Sequence, residues 1–333
     1  SDVSRGLGFA FNGDGNDATQ GASLGYDNFP PALGVDFFQG PYQDNDELDN
    51  PLSQDIPWET LVELRGIPYE GLGIGYSDGI IDNERFGMRR FVYHERTGNQ
   101  INVDPQSAPQ YYNFLLGRWR NGQRMTYGGL GLTPPNNANP YTGNNPVTDY
   151  MFPSDPTSNQ TSDPYGFGVG GRTDLPAWNE LSVPNPVGDR RFMQSAGPFT
   201  LRPGAVNNIT VGVVWAQTPS PNGNLISVQL MKVADTKAQN LFDNCFQILE
   251  GPNAPQIQIR ELENELILYL VNPPSSNNFG LGYEEVDPNI PETIIPDPST
   301  GIEVAADQVY KFEGYKVYQV RDETVSITEI NDV

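Results

Sequence analysis

The chain has 333 residues, of which 42 are acidic and 19 are basic, so its formal net charge is −23 at pH 7. A surface this acidic repels nucleic-acid phosphates and anionic membranes, which argues against both as partners. The single cysteine, Cys245, excludes an intrachain disulfide, and the sequence has no apolar run of the roughly 18 residues that a membrane span needs.

A polar turn near the start of the chain has the residue types of a calcium loop. The apolar run 7–11 predicts a strand, and side-chain oxygens follow it at Asn12, Asp14, Asn16 and Asp17. Calcium prefers such hard oxygen ligands, and glycines between them let a loop curl around the ion. No glutamate follows at the spacing of an EF-hand, so the alternative is an Asn/Gly/Asp turn that binds nothing.

A second oxygen-rich segment is the stronger calcium prediction. Asp78, Asp82, Asn83 and Glu84 place four oxygen-bearing side chains within seven residues, with Gly79 at the turn. This density of hard ligands is typical of a calcium loop. The alternative is a turn in which the Asp and Asn side chains cap backbone amides.

Three neighbouring features have a simpler interpretation. The acidic cluster 44–49 is typical of a solvated loop. The glycine-rich run 71–76 lacks the Lys-Ser/Thr pair and the strand–helix context of a phosphate-binding loop. His94 is the single histidine and cannot build a histidine-rich zinc site, so we predict a structural role for it.

Helical periodicity predicts two helices, near 107–120 and 225–246. In the first, Ser107 is a candidate cap and Phe114 and Trp119 belong to an apolar stripe. The second helix is expected to bury one face, while its polar residues point outward. The predicted buried set includes Ile226, Leu230, Val233 and Ala234, and the predicted outward set is Lys232, Asp235, Lys237 and Gln239.

Between the two helices, the composition of residues 126–185 predicts a long irregular region that is functional or braced by metal.

The segment 186–216 combines a charged turn with two strand-like runs. Residues 192–201 and 209–215 predict a hairpin, because the Pro-Gly turn at 202–205 lies between them. Arg190 and Arg191 precede it and are expected to brace a loop through bidentate hydrogen bonds. Anion or carboxylate binding is the alternative.

The sequence pattern changes after residue 252, from helical periodicity to strand-like alternation. Residues 256–260 and 265–271 predict a second hairpin, and 311–320 alternates as a strand. Together these strands resemble the first strands of a fibronectin type III-like sandwich. A complete sandwich needs about 100 residues, so this module at 253–333 is expected to be truncated or to be completed by another segment.

Four segments carry a wider resemblance. They are 30–41, the helix around 110–113, 188–204 and the long helix that leads into the fibronectin-like module. In this order they are similar to segments of large secreted proteins of Bacteroidota-type bacteria. Many such proteins carry a C-terminal sorting domain for type IX secretion, and no such domain is visible here. The resemblance implies an extracellular or outer-surface location, and it transfers no catalytic residue.

These patterns predict a mainly β chain with a few helices. A β-rich, sandwich-like domain at 1–252 precedes the fibronectin type III-like module. The predicted function is that of a non-enzymatic extracellular or cell-surface protein, structural or adhesive and stabilised by calcium. It would belong to a larger secreted polypeptide or surface assembly, with other surface proteins, secretion-machine proteins or glycans as partners.

Two alternatives stay open. The first is a polysaccharide-binding module or glycoside hydrolase, which a cleft lined by Trp58, Trp119 or Trp178 beside paired acids would favour. The second is cargo or a component of a secretion or gliding machine.

Overall fold

Short antiparallel strands dominate the chain. The computed structural model describes residues 1–18, 24–96, 100–135, 140–185, 188–244, 250–287, 294–296, 303–305, 308–318 and 320–321. Over these ranges it contains three α-helices, which are α1 (Trp58–Glu63), α2 (Ala108–Leu115) and α3 (Asn224–Asp243). The expectation of a mainly β chain with few helices is confirmed. Cys245 and Phe246 lie outside the described residues.

The chain divides into two compact units, Ser1–Gln239 and Asn240–Val333. The strands of the first unit are β1 (Leu7–Phe11), β2 (Ala32–Gln39), β3 (Gly73–Ile74), β4 (Arg85–Phe86), β5 (Arg90–Glu95), β6 (Arg190–Ser195) and β7 (Thr210–Ala216). Strands β1, β2 and β7 form one antiparallel sheet in that order, β3 pairs with β4, and β5 pairs with β6.

Helix α3 packs on one face of the three-stranded sheet. Strand β2 alternates buried and less buried positions, as a strand with one covered face should. Gly34 on this strand admits the helix, because a Cβ atom there would lie 2.6 Å from the sulfur of Met231. The small core between helix and sheet contains Leu7, Phe9, Ala32, Val214, Val228 and Met231.

A larger core organises the irregular region between α2 and β6. The indole of Trp119 donates to the carbonyl of Gly131 at 2.8 Å, and that of Trp178 donates to Gly129 at 2.9 Å. Both rings are buried in one cluster with Phe91 and the β5–β6 pair. Aromatic packing and indole-to-backbone hydrogen bonds therefore order these loops.

The predicted hairpin of 192–201 with 209–215 is wrong. Strand β6 pairs with β5, whereas β7 pairs with β2 in a different sheet. The ring of Phe192 on β6 stacks on Phe91 of β5, with centroids 5.3 Å apart. Each strand thus pairs with a strand that is remote in the chain, and cross-strand contacts such as the Phe91–Phe192 stack stabilise the observed pairing.

Helix α3 is also turned differently from the prediction. Asp235, expected to face outward, is buried, and Lys232 bonds to Asp2 at 2.7 Å and Asp155 at 2.8 Å. Leu230 and Val233, expected in the core, are exposed. A sheet of three strands covers only a narrow stripe of a helix, and the ion pairs of Lys232 hold the polar flank toward the body of the unit.

Helix α2 buries only part of its predicted stripe. Phe114 and, just beyond the helix, Trp119 are buried, whereas Tyr111 and Tyr112 are exposed. Ser107 occupies the cap position, but its side chain makes no capping hydrogen bond.

The first two strands of the second unit, β8 (Gln256–Glu261) and β9 (Leu266–Val271), form the predicted hairpin. Strand β10 (Glu284–Val286) pairs with β13 (Val309–Lys311), and β11 (Ile294–Pro296) pairs with β12 (Glu303–Ala305). The strand predicted over 311–320 is wrong, because β13 ends at its first residue and 312–318 follow without a strand. Tyr315 in that segment instead bonds to Asn272 through its hydroxyl at 2.8 Å. The fibronectin-like architecture remains a prediction.

Candidate functional site

Two acidic loops, 44–50 and 77–84, interlock and form the strongest candidate site; we call them the acidic loop pair. Asp82 Oδ1 accepts hydrogen bonds from two backbone N–H groups of the first loop, at 2.7 and 3.0 Å. In return, the backbone of Gly79 donates to Asp49 Oδ2 at 2.8 Å. The first loop follows β2, and the second connects β3 to β4, so the pair joins two sheets of the unit.

A buried carboxyl group lies at the base of the pair. Glu84 is buried, and its Oε1 accepts the backbone N–H of Asn50 at 2.6 Å. Burial raises the pKa of Glu84 above its ordinary value, and the nearby charges of Asp49 and Asp46 act in the same direction. The amide of Asn50 donates to Asp46 at 3.0 Å and so ties the two ends of the first loop together.

Two oxygen atoms in the acidic loop pair have no hydrogen-bond partner among the described residues. They are Asp49 Oδ1 and Asn83 Oδ1, and both atoms are buried. The remaining polar atoms of these side chains are engaged, since Asp49 Oδ2 accepts from Gly79 and the amide of Asn83 donates to Asp78 at 2.8 Å. A buried oxygen without a partner costs roughly 1–3 kcal/mol, so such atoms indicate a missing donor, water or cation.

The excess of negative charge in the acidic loop pair favours a cation over a neutral hydrogen-bond donor as the missing partner of these two oxygens. The two loops carry seven carboxylates, and Arg65, which lies outside both loops, is 3.6 Å from Asp46. Across the part of the chain that the structure describes, no three His, Cys, Asp or Glu side chains form a compact metal-binding group. A cation here would therefore draw on amide or carbonyl oxygens and water in addition to carboxylate, as calcium commonly does.

The structure brings together the second predicted calcium segment and a loop that sequence reasoning set aside. Asp78, Asp82 and Glu84 also cap backbone amides, as the alternative interpretation expected; Asp78 Oδ1 accepts from Ile80 at 2.8 Å. The sequence pattern predicts a solvated loop around Asp49, yet Asp49 contacts the turn of the second segment. The run of acids at 44–49 was the signal available in the sequence.

The first predicted calcium segment is held by hydrogen bonds of its own. Asp14 accepts the backbone N–H of Asn16 at 3.0 Å, and the amide of Asn16 donates to Asn28 at 2.9 Å. Asp17 accepts from the backbone of Tyr26 at 3.1 Å. Asn12 donates weakly to a carbonyl of the same turn, at 3.4 Å. This arrangement is that of an Asx turn closed on neighbouring loops.

The tryptophans named for a carbohydrate cleft are engaged in core packing and in hydrogen bonds to backbone carbonyls. Trp119 and Trp178 are buried in the larger core, and Trp58 donates to the carbonyl of Phe167 at 3.1 Å. A small pocket in the same region has Asp163 as its one acidic lining residue. Hydrolysis with retention needs two carboxyl groups about 5–5.5 Å apart, which this pocket does not supply.

Asp163 holds a turn. Its two oxygens accept the backbone N–H groups of Phe167 and Gly168, each at 2.8 Å. Burial raises the pKa of Asp163 to about 6, although these hydrogen bonds act in the opposite direction. Both carboxylate oxygens are therefore engaged in the structure.

The charged residues around β5 and β6 brace loops. Arg191 bonds to Asp104 at 2.7 Å, and the Nδ1 of the buried His94 lies 3.2 Å from the same carboxylate. Arg190 lies 3.5 Å from Glu95 on the facing strand. Burial lowers the pKa of His94. These contacts agree with the structural roles predicted for the histidine and both arginines.

No family model, curated protein or solved structure matches the chain. Within the described ranges, none of the helices has both the length and the apolar character that crossing a bilayer requires. The functional conclusion is therefore drawn from the residues themselves.

Proposed function

We propose that this chain is a non-enzymatic structural or adhesive protein of the cell surface or extracellular space, and that it takes calcium at the acidic loop pair. One observation carries the calcium proposal: Asp49 Oδ1 and Asn83 Oδ1 are buried oxygens without a hydrogen-bond partner among the described residues. The excess of carboxylates around them favours a hard divalent cation over a neutral ligand.

Asp49 and Asn83 would hold the ion, with Asp78 orienting the amide of Asn83. The ion would supply a cross-link between the two loops and would offset the repulsion among their carboxylates. A chain that cannot form an internal disulfide gains from such a link, because it ties the segment after β2 to the β3–β4 connection. The acidic composition and the resemblance to secreted Bacteroidota-type proteins support an extracellular location for it.

Calcium should raise the melting temperature of the intact chain. At free calcium about 100-fold above the dissociation constant, binding to the folded state stabilises it by about 2.7 kcal/mol, or roughly 5–10 °C for a unit of this size. Calorimetric titration with calcium and thermal melts with calcium or chelator measure both effects. Asp49→Asn should remove most of the shift.

Asp55→Asn is the matched control, because Asp55 is an exposed loop aspartate outside the acidic loop pair. It should leave the calcium response unchanged. Equal melting temperatures in calcium and in chelator, with no heat of binding, would sink the calcium proposal. An equal loss of response in both variants would move the site away from Asp49.

The proposed location has a test of its own. Protease added to intact cells of the source organism should digest the protein, while a cytoplasmic marker protein in the same cells persists. Digestion that begins only after lysis would contradict the surface assignment.

A further inference from the structure

The longest uncharged stretch of this strongly acidic chain has 29 residues. Residues 203–231 contain no Asp, Glu, Lys, Arg or His, although 18% of the chain is charged. This stretch forms strand β7 and the first two turns of helix α3. Depletion of charged residues is a feature of the core of protein interfaces.

Strand β7 lies at an unprotected sheet edge. It is last in the order β1-β2-β7, and among the described residues its single sheet partner is β2. Val214 packs toward α3, so Val211, Val213 and Trp215 point to the opposite face, where they are 48%, 66% and 50% exposed. Natural edge strands usually carry charges or proline that block pairing with another chain, and β7 has neither.

Helix α3 carries an apolar stripe of its own, on the other face of the sheet from Val211, Val213 and Trp215. Ile226, Leu230 and Val233 follow one another at spacings of four and three residues, so they form one stripe, and they are 44%, 40% and 53% exposed. The opposite flank of the helix faces the segment before β1, where Lys232 bonds to Asp2. The apolar stripe therefore lies on a flank of the helix away from Lys232.

We propose that β7 pairs with β7 of a second copy of this chain, antiparallel about a two-fold axis, and that the apolar stripes of the two α3 helices face each other across that axis. The inference rests on the proposed structural role and names its partner. An antiparallel edge strand is self-complementary. If one residue of β7 contacts a second residue of the partner copy, that second residue makes the same contact in return. Main-chain hydrogen bonds would then continue the sheet from three strands to six.

Electrostatics favours a second copy at this surface over any other approach of two such chains. Each copy carries a net charge of −23, so most faces repel each other. The stretch 203–231 brings no charge of its own to a contact between two copies. Salt should strengthen the contact, because it screens the remaining repulsion between the two bodies.

Sedimentation and light scattering of the intact chain test the proposal. Over roughly 1–100 µM, the mass should rise from 36.7 kDa toward twice that value, and the transition should shift to lower concentration as salt increases. Val213→Lys places a charge in the centre of β7 and should weaken dimerisation at least tenfold. Leu230→Lys on the α3 stripe should weaken it as well.

Ile259→Lys is the matched control, since Ile259 is a strand residue of the second unit with 62% exposure. Circular dichroism and the melting curve check that each variant folds. A wild-type chain that stays monomeric over the whole range in high salt would overturn the proposal. So would a dimer that Ile259→Lys disrupts and Val213→Lys leaves intact.

Calcium titration of the same samples separates this inference from the proposed function. A monomer that binds calcium overturns the interface alone. A dimer that Val213→Lys dissociates, in a chain that does not bind calcium, supports the interface and overturns the calcium proposal alone. A wild-type monomer that binds a foreign apolar strand through β7 would replace the second copy with another partner and would overturn the inference as stated.

Discussion

Replacing Gly71 with alanine should lower the free energy of unfolding by about 3 kcal/mol or more. A Cβ atom at this position would lie 2.3 Å from the carbonyl carbon of Arg5, 2.4 Å from the nitrogen of Gly6 and 2.5 Å from the oxygen of Ser4. All three are backbone atoms, so no side chain can turn away to relieve the contact. Two segments of the first unit would have to separate.

The contact is part of a crossing of three chain segments. A Cβ atom on Gly6 would lie 2.1 Å from the oxygen of Gly71, and one on Gly87 would lie 2.3 Å from the same oxygen. Gly6 also has φ of +75°, a conformation that disfavours any residue with a side chain. Glycine at 71 therefore lets the chain before β1 pack directly on the β3–β4 region, and this accounts for part of the glycine-rich run 71–76.

Urea unfolding of Gly71→Ala against the wild type measures the effect. Gly13→Ala is the matched control, because a Cβ atom there meets nothing within 4 Å. The control should change stability by less than about 1 kcal/mol. Similar small effects at both positions would contradict the close packing of these segments.

Asp36→Asn should make the protein more stable above pH 7 and flatten its pH dependence. Asp36 on β2 and Asp235 on α3 are 5% and 2% exposed, and the charge of Asp235 disfavours that of Asp36. Burial raises the pKa of Asp36 to about 7 and that of Asp235 to about 6. Arg5 lies 3.8 Å from Asp235 and offsets only part of this effect.

The direction of the pH effect on stability follows from the number of protons bound by the folded and unfolded states. Between the ordinary pKa of 3.8 and the raised value of about 7, folded Asp36 binds a proton that the unfolded chain releases. The contribution of Asp36 to stability is therefore greatest below pH 4, falls as the pH rises to about 7 and is flat above that. An amide stays neutral, so at pH 8 the variant should exceed the wild type by roughly 2–4 kcal/mol.

Urea unfolding at pH 4 and pH 8 checks this expectation. The two proteins should be close in stability at the lower pH and differ at the higher one. Asp55→Asn, at an exposed loop position, should follow the wild type at both. If the variant is no more stable than the wild type at pH 8, then the buried Asp36 carboxylate does not destabilise the folded state, and the prediction is wrong.

The local patterns of the sequence located several elements correctly. The alternation at 256–271 predicted the β8–β9 hairpin, and helical spacing predicted α3 to within a few residues at its start. Such features depend on neighbours within one turn of the chain, so their residues are sufficient to specify them. The oxygen-rich segment 77–84 was recognised in the same way, from its own side chains.

Pairing and orientation depended on contacts between remote segments. Nothing near β6 and β7 indicated that one joins β5 and the other β2, because register is set by which surfaces cover each other. The acidic loop pair likewise needed Asp49, which lies 29 residues before Asp78 and meets its loop only in the folded unit.

Composition and local pattern are enough to identify a strongly acidic, mainly β chain with a single cysteine, which excludes an internal disulfide. Which flank of α3 is buried depends instead on the folded unit, because the ion pairs of Lys232 turn the polar flank inward and leave Leu230 and Val233 exposed. Helical periodicity identifies an amphipathic helix, but the width of the surface beneath it and the charges at its border select the face that packs.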